Sequence, residues 1–223
     1  MTTGNGHESG IKLVAFDMDG VLTRVKSSWK YVHDRMGVDN SVNLTRYLRG
    51  EINYEQFMVS DVKLWLDKYG KVHRDTISEV LSEIPLRTNV AHAIGSLRDK
   101  GIRVAIISGG ISWLSDRIDD DVPFDEVFAN EIGTDTEGFL TTVCHPTVVP
   151  ERKGDVVRAL QAKWGFAKQE CVSVGDSIFD RSMFDASGLS IAFNPENLEV
   201  SHHATRMLES DNLDDLLPHI LLK

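Results

Sequence analysis

Three short apolar runs along the chain share one design. Residues 12–16 (KLVAF) run into Asp17, residues 102–107 (IRVAII) into Ser108-Gly109-Gly110, and residues 171–174 (CVSV) into Gly175-Asp176-Ser177. Each is rich in β-branched residues and lacks clear alternation, the pattern of strands buried on both faces of a parallel sheet. Residues 189–193 (LSIAF) predict another strand, leading into Asn194-Pro195. Between these runs the period lengthens to that of helices. Residues 88–100 place Val90, Ile94 and Leu97 on one face, with Gly101 behind, and residues 153–164 carry Val156, Val157, Leu160 and Trp164 before Gly165. Strands alternating with helices predict an α/β fold. Its core is a Rossmann-like parallel sheet with helices on both faces and right-handed crossovers. Residues 131–143 contain Asp135-Thr136-Glu137-Gly138 and predict a β-hairpin at the sheet edge.

One segment breaks this rhythm. Residues 27–85 hold no buried strand, and Tyr54, Phe57, Met58, Val62, Trp65 and Leu66 recur at helical spacing. Some 60 residues is far longer than a sheet connection requires. A small helical cap over 27–85 is therefore expected, inserted into a core formed by 11–26 and 86–223. Ser28, Trp29, His33, Tyr54 and Trp65 are expected in its packed interior, with Trp29 and His33 the candidates among the cap residues for touching substrate. Residues 1–10 are expected to be a loose tail.

Composition narrows the partners. The 223 residues carry a formal net charge of −10, which disfavours nucleic acid and anionic membranes. No apolar run approaches a membrane span, and no basic stretch precedes an apolar core near residue 1, so neither an anchor nor a signal peptide is expected. Cys144 and Cys171 lack paired spacing and read as reduced thiols, which together with the missing signal predicts a cytoplasmic protein. The adjacent His202 and His203 point apart and are expected at the surface. Oligomeric state is not legible here.

The chemistry lies where the apolar runs end. In open α/β sheets ligands bind at the carboxyl ends of strands. That edge receives Asp17 and Asp19, then Ser108 to Gly110, then Asp176 with Asp180, and Lys153 opens a helix that begins beside them. Clustered acids beside anion-binding groups fit Mg2+, which takes a few carboxylates, waters and a substrate phosphate oxygen. Ser108-Gly109-Gly110 reads as a turn at a helix start, where Ser108 and Gly109 can offer a hydroxyl and backbone N–H groups to a phosphate, and Lys153 adds a point charge. One aspartate can attack phosphorus while a second acid moves the proton, and the Asp17/Asp19 pair could supply both.

In order along the chain stand Asp17-Met18-Asp19-Gly20-Val21, Ser108-Gly109-Gly110, Lys153, and Gly175-Asp176-Ser177-Ile178-Phe179-Asp180. This set resembles the four motifs of the haloacid dehalogenase superfamily of phosphatases, in its phosphoserine phosphatase-like branch. The resemblance implies that Asp17 is the nucleophile and Asp19 the general acid/base. It implies that Mg2+ is held by Asp17, the Asp19 carbonyl and Asp176, with Asp180 and Ser177 supporting the metal site. It also implies that Ser108, Gly109 and Lys153 bind the phosphoryl group. The expected activity is hydrolysis of a small phosphorylated metabolite through a phospho-aspartate, with phosphoserine, a phosphosugar or another small phosphorylated acid as substrate. A phospho-accepting receiver domain is a remote alternative, disfavoured by chain length and the helical insert. Departures bear on the substrate. Lys26 stands where that branch usually has a glutamate for the substrate's amino group. No arginine lies between Arg49 and Arg74, where a carboxylate-binding one is expected and Asp61 falls instead. Phe179 replaces an asparagine. Lys26, Trp29 and Asp61 are thus the candidate specificity residues.

Overall fold

The structure is a computed structural model and describes residues 10–221. The expected tail, apart from Gly10, lies outside the described residues. Seven strands form one sheet: β1 (Leu13–Phe16), β2 (Arg103–Ile111), β3 (Glu126–Thr134), β4 (Leu140–His145), β5 (Cys171–Gly175), β6 (Leu189–Phe193) and β7 (Arg206–Leu208), in the spatial order β4-β3-β2-β1-β5-β6-β7. All neighbours are parallel except β3 and β4, which form the expected edge hairpin. β3 begins five residues earlier than that hairpin reading, at Glu126, because its first half pairs parallel with β2.

Both faces of the central strands are covered. Val14, Phe16, Val104, Ile106, Val172 and Val174 join one cluster; Leu13, Ala15, Ala105, Ile107 and Cys171 join the other. Alternate residues thus face opposite layers and all are apolar, which is why the sequence runs show no alternation. Helices α5 (Val90–Asp99) and α6 (Ser112–Asp121) contribute to the first layer, α7 (Lys153–Trp164) and α8 (Arg181–Ala186) to the second. Short helices α9 (Leu198–His203) and α10 (Leu217–Leu221) follow β6 and β7. His202 is exposed at the end of α9 and His203 half-buried. Cys144 and Cys171 are free and buried.

The segment between β1 and β2 folds as helices α1 (Ser28–Met36), α2 (Ser41–Leu48), α3 (Tyr54–Tyr69) and α4 (Arg74–Ser82) ahead of α5. Local sequence sets their ends. Ser27 accepts from the Lys30 amide at the start of α1, Gly37 closes it with φ 61°, and Asn53 and Gln56 form a reciprocal capping box on α3. Val32, Met58, Val62, Trp65, Ile77 and Leu81 bury a core continuous with the first of these layers. The chain leaves and returns side by side: Arg24 N–H donates to Pro85 and Arg87 N–H to Leu22.

One expectation about the central turn is corrected. Ser108-Gly109-Gly110 does not start a helix. β2 continues through it to Ile111, and the helix begins at Ser112. The partners of Ile107 and Ile111 on β3 are Phe128 and Asn130, so the three intervening residues bulge out of the ladder. Space explains the glycines: a Cβ at Gly110 would stand 2.8 Å from an Asp19 oxygen and 2.6 Å from Met18 Cε.

Candidate active site

β1 is the switch point of the sheet, since β2 lies on one side of it and β5 on the other. A crevice therefore opens at the carboxyl ends of β1 and β5. Asp17 follows β1, Asp176 follows β5, and both are nearly fully buried. Lys153, 2% exposed at the start of α7, reaches between the loops. Its Nζ lies 2.6 Å from Asp17 Oδ2 and 2.6 Å from Asp180 Oδ1. Asp180 Oδ2 in turn accepts from the Asp176 and Ser177 amides, both at 2.9 Å, and from Ser177 Oγ at 3.2 Å. Asp180 thus ties the loop after β5 to the lysine.

The two acids of the first loop sit in different surroundings. Asp17 Oδ1 accepts from the Met18 amide at 2.7 Å and Oδ2 faces Lys153. Asp19 turns toward the helical insertion. Its Oδ2 accepts from Ser28 N at 2.8 Å and Ser28 Oγ at 2.7 Å, while its Oδ1 is buried with no partner. Gly20 takes φ 76°, and a Cβ there would lie 2.0 Å from Asp176 Oδ2, so only glycine lets the two loops meet. Burial raises Asp17 to about 7 against the pull of Lys153, and Asp180 adds to the rise. Burial also raises Asp19, although the Ser28 bonds oppose it, and it raises Asp176 well above the usual carboxylate range with help from Asp180 and Asp17. Burial works against the Lys153 charge, but Asp17 and Asp180 outweigh it and raise its pKa, so it stays an ammonium.

This donor set fits a hard cation. Asp17, Asp176 and Asp180 each offer a carboxylate oxygen, and these oxygens lie within 4.8 Å of one another. Like charges so close push each other toward protonation, and an oxygen-seeking divalent ion relieves that. The unpartnered Asp19 oxygen adds a further site of unmet demand.

Most of the expected residues meet in one cavity. Its lining includes Asp17, Asp19, Lys26, Trp29, Ser108, Gly109, Lys153, Asp176 and Ser177. Ser108 Oγ accepts from the Gly110 amide at 3.0 Å. The bulge is pinned by its Gly109 carbonyl, which accepts from Trp29 Nε1, Tyr54 Oη and Asn130 Nδ2 at 3.1, 2.8 and 3.0 Å. Lys26 bonds Asp176 Oδ2 at 2.6 Å and the Asn194 carbonyl at 2.5 Å. Asp180 stands just behind the lining as the anchor of Lys153. Asp61 does not reach the cavity. It is 1% exposed inside the insertion, where it accepts from Asn40 Nδ2 and Asn43 Nδ2 and pairs with His33 Nε2 at 3.0 Å. His33 is likewise held by Trp65, whose Nε1–H points at Nδ1.

Sequence reasoning missed the functional placement of Ser28, Tyr47, Phe57 and Asn130. Ser28 follows Asp19 by nine residues with no spacing rule to flag it, and Asn130 sits within a strand whose first half was unread. The aromatic residues carried a helical period that reads equally well as core.

Comparison with known proteins bears on this arrangement. A family model described as a haloacid dehalogenase-like hydrolase matches residues 11–188. The phosphoserine phosphatase of Methanocaldococcus jannaschii is 27% identical over 212 residues, covering 94% of this chain and 97% of its own. That of Archaeoglobus fulgidus is 27% identical over 188 residues, and this chain spans only 54% of its length. A solved structure titled as a phospho-aspartyl intermediate analogue of phosphoserine phosphatase superposes with a TM-score of 0.79 at 25% identity. The match covers 95% of this chain and 99% of that one.

Proposed function

The chain belongs to the haloacid dehalogenase-like hydrolases, and from that premise we propose that it is a Mg2+-dependent phosphomonoester hydrolase acting through a phosphorylated Asp17. Residues 11–26 and 86–223 would be its catalytic core and 27–85 its cap. One observation carries the mechanism: two acids one residue apart are held in opposite settings, Asp17 on a buried ammonium and Asp19 on a serine with one oxygen unpartnered. Pairs of carboxylates kept apart in this way divide into nucleophile and proton carrier.

Asp17 ionises beside Lys153 and attacks the phosphorus of the bound ester. Lys153 and the Ser108–Gly110 bulge offset the charge gathering on the phosphoryl oxygens. Asp19, whose proton affinity burial raises and whose carboxyl Ser28 aims, gives its proton to the leaving alcohol. Asp19 then takes a proton from the water that hydrolyses the phospho-aspartate, and Asp17 is restored. Asp17, Asp176 and the Asp19 carbonyl would hold Mg2+, with Asp180 and Ser177 setting the loop. When bound, the ion supplies positive charge that lets an anionic nucleophile meet an anionic ester.

Phosphoserine, the substrate named in the relatives' titles, is the first ester to test. The experiment is phosphate release from a panel of monoesters with Mg2+ and with chelator, using wild type, Asp17→Asn and Asp19→Asn. Asp17→Asn should abolish turnover, and Asp19→Asn should slow both half-reactions and flatten the pH profile. Full activity in Asp17→Asn would refute the proposal.

A further inference from the structure

Part of the cavity lining is built from rings. Tyr47 and Phe57 stack with centroids 5.0 Å apart and planes 5° apart, and Tyr54 meets them at 5.5 and 6.2 Å. Trp29, Leu44 and Pro150 extend this wall around a cavity of about 340 Å³ that opens onto Asp17 and Lys153. The wall's polar atoms are committed elsewhere. Tyr47 Oη donates to Glu151, and both Tyr54 Oη and Trp29 Nε1 donate to the Gly109 carbonyl.

Of the charged groups in the lining, Lys153 lies between Asp17 and Asp180 and Lys26 holds Asp176 and the Asn194 carbonyl; Lys30, in an exposed pair with Asp34, and Glu196 also line the cavity but are not part of the ring wall. An amino acid ester would bring an ammonium and a carboxylate against this wall. Its carboxylate would meet ring faces and lose water without a partner in exchange. An apolar ring would instead displace water from the aromatic surface and stack on it.

Resting on the phosphomonoesterase reading above, we infer that the substrate's organic group is a flat apolar ring, so that the enzyme takes an aryl or arylalkyl phosphate rather than a phosphorylated amino acid. Tyr47, Phe57 and Tyr54 form the ring-binding surface, and Leu44 and Trp29 close its sides.

The test compares kcat/KM for 2-phenylethyl phosphate, ethyl phosphate, O-phosphoserine and choline phosphate in the presence of Mg2+. The phenylethyl and ethyl esters release alcohols of similar acidity, so their ratio reports ring binding rather than leaving-group chemistry. Wild type should favour the phenylethyl ester over the ethyl ester by roughly tenfold or more. Phe57→Ala should cut that ratio by roughly tenfold and Leu44→Ala by about threefold, with both folds checked by circular dichroism. A ratio near one, a preference for O-phosphoserine, or a ratio unmoved in both variants would overturn the inference. A preference for choline phosphate would overturn it as well, making the rings a cage for a quaternary ammonium. Turnover of any ester keeps the phosphatase reading in force while the ratio alone decides this one. Turnover of none overturns both.

Discussion

In the presence of chelator, replacing Asp17 by asparagine should stabilise the protein increasingly as pH rises. The reason is the folded-state pKa of Asp17, lifted by burial from 3.8 to about 7. A carboxyl that holds its proton more tightly when folded gives the native state more bound protons than the unfolded chain between those values. Stability then falls as pH rises through this window, from about pH 4 to about pH 7. Each unit is worth about 1.4 kcal/mol, so the roughly three-unit rise corresponds to about 4 kcal/mol once both states are ionised. Asparagine cannot titrate, so that component vanishes. Exchanging one oxygen for an amide beside Lys153 adds a cost of its own, while losing the Asp17 charge also eases the ionisation of Asp176 and moves the gap in the same direction as pH rises. The quantity to measure is therefore the change in the stability gap, D17N minus wild type. Urea unfolding followed by tryptophan fluorescence in EDTA, at steps from pH 4.5 to 8, gives it directly. The gap should move toward the variant by several kcal/mol across that range. Repeating the series with Mg2+ should shrink the movement, because a cation on Asp17 favours the ionised native state. A gap that stays flat with pH in EDTA would show that the site does not hold Asp17 against ionisation, and would refute the electrostatic account.

Two further predictions probe residues singled out for specificity. Lys26 Nζ sits 2.6 Å from Asp176 Oδ2, so Lys26→Met should tighten Mg2+ binding by roughly tenfold in a calorimetric titration, one competing charge having gone. An unchanged affinity would mean that the ion and the lysine do not share Asp176. Asp61→Ala should cost about 3 kcal/mol in urea unfolding, because His33, Asn40 and Asn43 lose a common buried acceptor; it should leave the ratio between substrates unchanged, and a shift in that ratio would place Asp61 at the substrate after all.

What the sequence made legible follows from how tightly local physics fixes each element. The strands at 12–16, 102–107 and 171–174 were readable because layers of side chains cover both their faces, so each is apolar on both sides apart from one residue, Lys12, Arg103 or Ser173. The catalytic candidates were readable because each stands at the end of one of these strands or at a helix start, where register alone delivers it to the edge. β7 was not readable: three half-exposed edge residues, Arg206 to Leu208, carry no pattern distinct from a loop. The bulge at Ser108–Gly110 looked like a helix start since glycine and serine serve both purposes. Only the neighbouring Asp19, Met18 and Tyr54, distant in sequence, decide between them.

The same contrast separates the chemistry from the substrate. Asp17, Lys153, Asp176 and Asp180 are set by the sheet, and four motifs in order suffice to find them. The ring surface is made by α2 lying against α3, with Tyr47 then tied to Glu151 of the core. No spacing within either helix distinguishes Tyr47 and Phe57, which line the cavity, from Trp65, which is wholly buried. Lys26 belongs to both sides of this divide. From sequence it was a glutamate's replacement, and a reason to doubt an amino group as ligand. In the fold its ammonium lies on Asp176, one of the carboxylates that would hold Mg2+, so it faces the acids rather than the ring wall. With Lys26 turned toward the acids, the ring wall is the surface left to meet the substrate's organic group, and the ester series decides whether that wall sets the selectivity.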